Sequence, residues 1–311
     1  MTLTDDAGSR PLDFPTYTAS ETALTLSLGR PTPSHCQARE AWVGALRRRQ
    51  LSADLGWRPA DPAFGGWGYA IDPPRHPRPL VHGAMIADAN ISATLFAIAA
   101  RRFAGATTQD QAIRDALRFV KRCQNFTGDA ERSDPRYDDG GFHFSPTDAV
   151  RNKAGRAGHD MSGHDRYHAY GSATADGLRV LALCGLGHDH PRVVAARRWL
   201  ERRFRPDTNP GVFADGRQVL RHAYYFYYCW SVSHALMALG RRDIETDSGP
   251  IDWPASLADE LIRRQGPDGA WRSDRSDAKE DDPLVATPLA TAALSICRMM
   301  MTRRLPPLCF E

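Results

Sequence analysis

The chain has 311 residues, of which 42% are hydrophobic and 25% charged. That is the balance of a soluble globular protein able to bury a large core. A formal net charge of +3 is too small at this size for a dedicated nucleic-acid binder, so no nucleic-acid partner is expected.

The N-terminal "MTLTDDAGSRPLDF" lacks the basic start and apolar core of a secretory signal. No uninterrupted apolar run reaches the roughly 18–20 residues that span a bilayer. The expected location is cytoplasmic, with peripheral membrane contact left open. Cys36, Cys123, Cys184, Cys229, Cys297 and Cys309 show no C-x-x-C spacing, which argues against a zinc ribbon or a thioredoxin-like motif. Neither metal nor cofactor is expected.

The first predicted helix lies in "DFPTYTASETALTLSLG", from Asp13. Its pattern D-x4-T-x3-T-A returns at the far end in "DPLVATPLATAALSICR", from Asp282, so that Thr18 and Thr22 match Thr287 and Thr291. Next comes "CQAREAWVGALRRRQ", amphipathic with an Arg-rich outer face, then the glycine–aromatic stretch "FGGWGY" around Trp67. The cycle repeats. "DANISATLFAIAARR" is apolar around much of its circumference, "DQAIRDALRFVKRCQ" is amphipathic, and "DDGGFHF" carries Phe142. After an insert, "GSATADGLRVLALCGLG", "HPRVVAARRWLERRF" and "NPGVF" form a third round; "YYFYYCWSVSHALMALG", "WPASLADELIRRQ" and "PDGAW" form a fourth. Helices apolar all round are buried on most sides, and amphipathic ones are half-exposed. The glycine permits a positive φ in the turn, and the aromatic folds back over the helix end. No useful period-2 alternation appears, so very little sheet is expected. Repeats at roughly 13–67, 88–142, 171–213, 224–271 and 282–301 describe a single all-α domain, an α/α toroid of about nine to eleven helices in inner and outer rings.

"QGPDGAW" fits Q-x-x-x-G-x-W through Gln265, Gly269 and Trp271. It resembles the QW motif of squalene–hopene cyclases and of protein prenyltransferase β subunits. Longer versions run from Gln50 to Trp67 and from Gln124 to Phe142, and "GGWGY", "YGSATADGL" and "DPLVAT" are similar to further pieces of this superfamily. The resemblance covers most of residues 13–300. It implies a toroid holding an apolar, isoprenoid-like small molecule, and proton-initiated cyclisation or isomerisation. The cyclases' acid is the middle Asp of D-x-D-D-T. Here "DANIS" keeps Asp88 at the first position, with Asn90 and Ile91 in place of the other two acids and Ser92 at the Thr. Asp88, Asp139, His168 and Asp282 are the candidates to replace it. The zinc triad of the prenyltransferases has no counterpart. Aligning on Trp230 puts Tyr224 and Phe226 at two ligand positions, and Ala286 stands where their His precedes the Thr.

The candidate substrate-binding residues are Trp67, Tyr69, Phe142, Tyr170, Tyr224, Tyr227, Tyr228 and Trp230. Their aromatic faces suit apolar or cationic species. Plain core packing explains the same residues, and turn or helix-end chemistry explains Asp138, Asp139 and Asp282. A binding scaffold and a carbohydrate-active toroid, such as a polysaccharide lyase, are the alternatives. The insert "HDMSGHDRYH", residues 159–168, places His164 and His168 four apart. It is expected as a polar rim over the cavity mouth, not as a metal cage.

Overall fold

A computed structural model describes residues 12–76, 89–128 and 133–302. They are all-α in character. The helices are α1 (Pro15–Leu28), α2 (Pro33–Arg47), α3 (Ile91–Phe103), α4 (Gln111–Arg122), α5 (Gly171–Leu183), α6 (Pro191–Arg203), the single turn α7 (Leu220–Ala223), α8 (Tyr225–Ala238), α9 (Trp253–Arg263) and α10 (Pro283–Thr302). Apart from α7, each lies in a segment whose apolar spacing predicts a helix. Among the described residues, the sheet is confined to two antiparallel hairpins, β1 (Arg156–His159) with β2 (Asp165–Tyr167) and β3 (Asp243–Thr246) with β4 (Gly249–Asp252).

The helix starts are written locally. Proline is the first residue of α1, α2 and α6 and the second of α9, where its missing N–H costs nothing. Thr32, Asn90, His190 and Asp252 accept a backbone N–H from the first turn of α2, α3, α6 and α9. Asn90 is thus the N-cap of α3.

The chain clusters into two compact units. The described part of the first comprises residues 12–76, 89–123, 144–151 and 180–186; the second comprises 124–128, 133–143, 152–179 and 187–302. In the first unit α1 packs on α2 and α3. Its core includes Ala19, Leu46, Trp67, Ile91, Ile98, Phe119 and Val120, none more than 1% exposed. In the second, α10 packs on α8 and α9, around Phe142, Tyr170, Tyr228, Val232, Leu257 and Ala290.

One hydrogen-bonding rule recurs in both units and explains the repeated Gln, Gly and aromatic. In the first unit, the amide of Gln50 donates to Gly65 O (2.9 Å) and to Ala112 O in the first turn of α4 (2.8 Å). In the second, Gln124 donates to Gly140 O (3.0 Å) and to Arg192 O of α6 (2.9 Å), and Gln265 donates to Gly269 O (2.8 Å). Gly65, Gly140 and Gly269 all have φ between +80° and +90°. At Gly65 a Cβ would also lie 2.0 Å from the carbonyl oxygen of Asp115, so no other residue fits. Two residues beyond each glycine, the backbone N–H of Trp67, Phe142 or Trp271 donates to the hydroxyl of Thr94, Thr174 or Thr287 (3.0–3.1 Å). The indoles of Trp67 and Trp271 donate to Leu46 O and Leu261 O. These are last-turn carbonyls of α2 and α9, which have no regular i+4 donor and otherwise accept only the backbone N–H three residues on, from Arg49 (3.0 Å) and Arg264 (3.2 Å).

Burial differs from expectation at α1 and α10. Each has one buried face and one exposed face, with Leu28 68% and Leu284 82% exposed. α10 is 20 residues long with a mean hydropathy of 1.5 over its most apolar stretch, enough by length and composition to cross a membrane. It packs Ala286, Ala290, Ala293, Ile296 and Cys297 into the second unit, which is compatible with a soluble protein.

Candidate functional site: a carboxylic acid on the aromatic face of α8

The sequence of α8 is apolar on all sides, but its burial is not uniform. Tyr225, Phe226, Tyr228, Cys229, Val232 and Leu236 are buried, whereas Tyr227, Trp230 and His234 are half-buried. Spacings of three and four put these three on one face, with Tyr224 just ahead of them. The rings form a continuous row. The Tyr227 and Trp230 centroids are 5.4 Å apart, and those of Trp230 and His234 are 5.1 Å apart.

Asp176 of α5 meets this row. Tyr227 Oη donates to its Oδ2 at 2.8 Å and Ser231 Oγ to its Oδ1 at 2.5 Å. The carboxyl is only 1% exposed. Burial pushes its pKa up to about 6, against the pull of the Arg179 charge, the two hydroxyls and Lys153. Arg179, three residues further along α5, lies 4.5 Å over the Trp230 ring, and Lys153 Nζ lies 4.8 Å over the ring of Tyr224. Charged groups are thus set against the aromatic row in the order cation, acid, cation.

Two further groups belong to this neighbourhood. Glu280 is 1% exposed and accepts the backbone N–H groups of Phe226 (2.9 Å) and Tyr227 (2.8 Å), capping α8. Burial pushes its pKa up to about 7, opposed by those amides. His234 Nδ1 lies 2.8 Å from Trp230 O. A carbonyl only accepts, so Nδ1 carries the hydrogen and Nε2 the lone pair. Burial, helped by Arg179, holds this imidazole neutral with a pKa lowered to about 4.

The residues singled out from sequence fall into three groups. Tyr224, Tyr227 and Trp230 are at this site. Trp67, Phe142, Tyr170 and Tyr228 are at most 1% exposed. The first two hold the turns described above, and the last two donate their bulk to the core, Tyr228 Oη bonding Arg205 O (2.9 Å). Tyr69 belongs to the first unit, in a separate cluster. It stacks on Tyr17 at 5.8 Å, meets Phe14 edge-on at 5.8 Å, and has Arg151 5.8 Å over its ring.

The carboxylates are more scattered. Asp139 accepts from Trp199 Nε1 (2.9 Å) and Gly141 N (3.1 Å) at an exposed turn, beside an open cleft of about 400 Å³ that Arg198 and Arg203 also line. Asp282 is exposed and caps α10 through Leu284 N (2.8 Å). His168 is half-buried, which lowers its pKa. Asp88 lies outside the described residues. The insert 159–168 is the β1–β2 hairpin. Asp160 accepts from Ser162 N and His164 N to close its turn, and His159 pairs with Asp165 at 3.1 Å. Among the described residues, no group of three or more His, Cys, Asp or Glu side chains could hold a metal ion.

Asp176, Arg179, Lys153 and His234 are not singled out by the sequence patterns, whereas Glu280 stands in the acidic run before α10, where helix-end chemistry is the ordinary explanation. A signal for two of them was available: Asp176 and Arg179 are the only charged residues in "GSATADGLRVLAL". A charge in an otherwise apolar helix is rarely there without a partner.

No family model matches the chain, and no curated protein matches it.

Proposed function

We propose that the protein is an α/α toroid of the squalene cyclase and prenyltransferase kind, which binds an apolar isoprenoid-type molecule and cyclises or isomerises it after protonation by Asp176. The observation that carries this reading is a buried carboxyl, 1% exposed, hydrogen-bonded directly into a half-exposed row of aromatic rings, where burial pushes its pKa up. An alkene is a very weak base, so its acid must be protonated and its conjugate base stabilised in advance. When Asp176 gives its proton to an alkene carbon, the hydroxyls of Tyr227 and Ser231 already face the carboxylate, and Arg179 supplies positive charge. The π face of Tyr227 stabilises the carbocation. Neutral His234 has a lone pair on Nε2 to accept the proton lost at the end. The reading keeps a cytoplasmic protein with peripheral access to a membrane, where such ligands partition.

A carbohydrate-active site is the second reading. The stacking of Arg179 and Lys153 on Trp230 and Tyr224 favours it, because those faces carry charged groups. One experiment separates the two: native mass spectrometry and lipid extraction of the purified protein, then assay with squalene, shorter polyprenes and acidic polysaccharides. The isoprenoid reading expects bound lipid and polyprene turnover that Asp176→Asn abolishes. Turnover of polysaccharide alone establishes the second reading and ends the first.

A further inference from the structure

We infer that Arg179 and Lys153 form an oxyanion subsite beside Asp176, and that the ligand carries a carboxylate at one end. The inference rests on the isoprenoid reading of the site and adds the chemistry of the ligand's head.

Arg179 Nη1 is buried and has no hydrogen-bond partner among the described residues. A buried guanidinium N–H left without an acceptor is costly, and a bound anion removes that cost. The obvious internal acceptor does not supply it. The oxygens of Asp176 accept from Tyr227 and Ser231, and among the described residues Arg179 makes neither a hydrogen bond through Nη1 nor an ion pair. The guanidinium is nonetheless held in place, 4.5 Å over Trp230. Lys153 is similarly placed, 4.8 Å over Tyr224. Tyr227, which holds the acid, lies between those two rings in the row. Both cations act on Asp176 electrostatically, so an anion drawn to them sits next to the proton donor.

The other charged groups near this face limit the choice of anion. Glu280 is engaged by the amides at the start of α8, and Glu280 and Asp277 both place negative charge near Tyr224. Once ionised, Asp176 adds another. Attraction to the two cations and repulsion from the carboxylates both grow in proportion to the ligand's charge, and with Asp176 ionised three acids stand against two cations. A carboxylate has one charge and two acceptor oxygens for a guanidinium edge and an ammonium; a phosphate monoester brings more charge into the same acidic surroundings. Apolar binding along the ring row combined with a carboxylate head defines an amphipathic monoanion.

The test is isothermal titration at pH 7.5 with three ligands that share one chain: farnesoic acid, farnesol and farnesyl phosphate. The acid is expected to bind about tenfold tighter than the alcohol. Arg179→Gln should erase that preference, bringing the ratio of acid to alcohol affinity to about one. Arg179→Lys, which keeps the charge and loses the planar fork, should retain part of it. Equal binding of acid and alcohol by the wild type overturns the subsite and leaves the isoprenoid reading standing. Tighter binding of the phosphate than of the acid overturns the choice of carboxylate. Failure of all three to bind counts against the isoprenoid reading itself. The comparison of ligands on the wild type needs no variant, so a poorly folding Arg179→Gln does not block the test.

Discussion

Replacing Asp176 by Asn should change how the stability of the protein depends on pH, in a direction fixed by the burial of this carboxyl. Its folded-state pKa is raised from an ordinary 3.8 to about 6. The folded chain therefore binds a proton that the unfolded chain releases between those values. Stability from this group is fully present below about pH 4 and is lost as the pH rises through 6. Two units at 1.36 kcal/mol each amount to about 3 kcal/mol. The Asn variant has no such titration. Other buried groups, such as His143 and Glu280, titrate in both proteins and cancel in the difference. Urea unfolding of both proteins from pH 4 to pH 8 should show the wild type losing about 3 kcal/mol relative to the variant across that range. A difference that stays flat, or that grows in favour of the wild type, would refute the claim that Asp176 is held protonated by burial.

Tyr227→Phe removes a 2.8 Å donor that favours the ionised form of Asp176, so the carboxyl should titrate above 6 when followed by carbon NMR. Gln124→Ala breaks bonds to Gly140 O and Arg192 O, and should cost about 2 kcal/mol in chemical denaturation. Gln265→Ala, with one exposed bond to Gly269 O, should cost less than half of that. Gly177→Ala would put a Cβ 2.4 Å from the Phe142 ring. The rigid ring cannot yield as a flexible side-chain end could, so a loss of at least about 2 kcal/mol is expected in the same assay.

The helices and their repeat could be read from the sequence because period and punctuation are local properties. Pro, Thr, Asn and Asp mark the starts of helices, and Gln and Gly mark the turns that follow. The role of the turn aromatics could not be read so easily. An apolar side chain that lines a cavity and one that seals a core look alike in sequence, and Trp67 and Phe142 seal a core. The hairpin at 156–167 was missed because its strands are short and polar, and its turn depends on one side chain, Asp160, bonding to two backbone amides. Among the acids, Asp282 and Glu280 are two residues apart with similar surroundings in sequence. Only the packing around α8 makes Glu280 buried and leaves Asp282 on the surface. Asp176 differs: its place in an apolar helix is legible in the sequence, but its hydroxyl partners Tyr227 and Ser231 are 51 and 55 residues away along the chain.

The most direct test of the account is the fate of the proton from Asp176. With squalene or a shorter polyprene in heavy water, mass spectrometry of the product should find one carbon-bound deuterium from the wild type and no labelled product from Asp176→Asn. Labelled product formed by the variant at the wild-type rate would contradict the assignment of Asp176 as the acid.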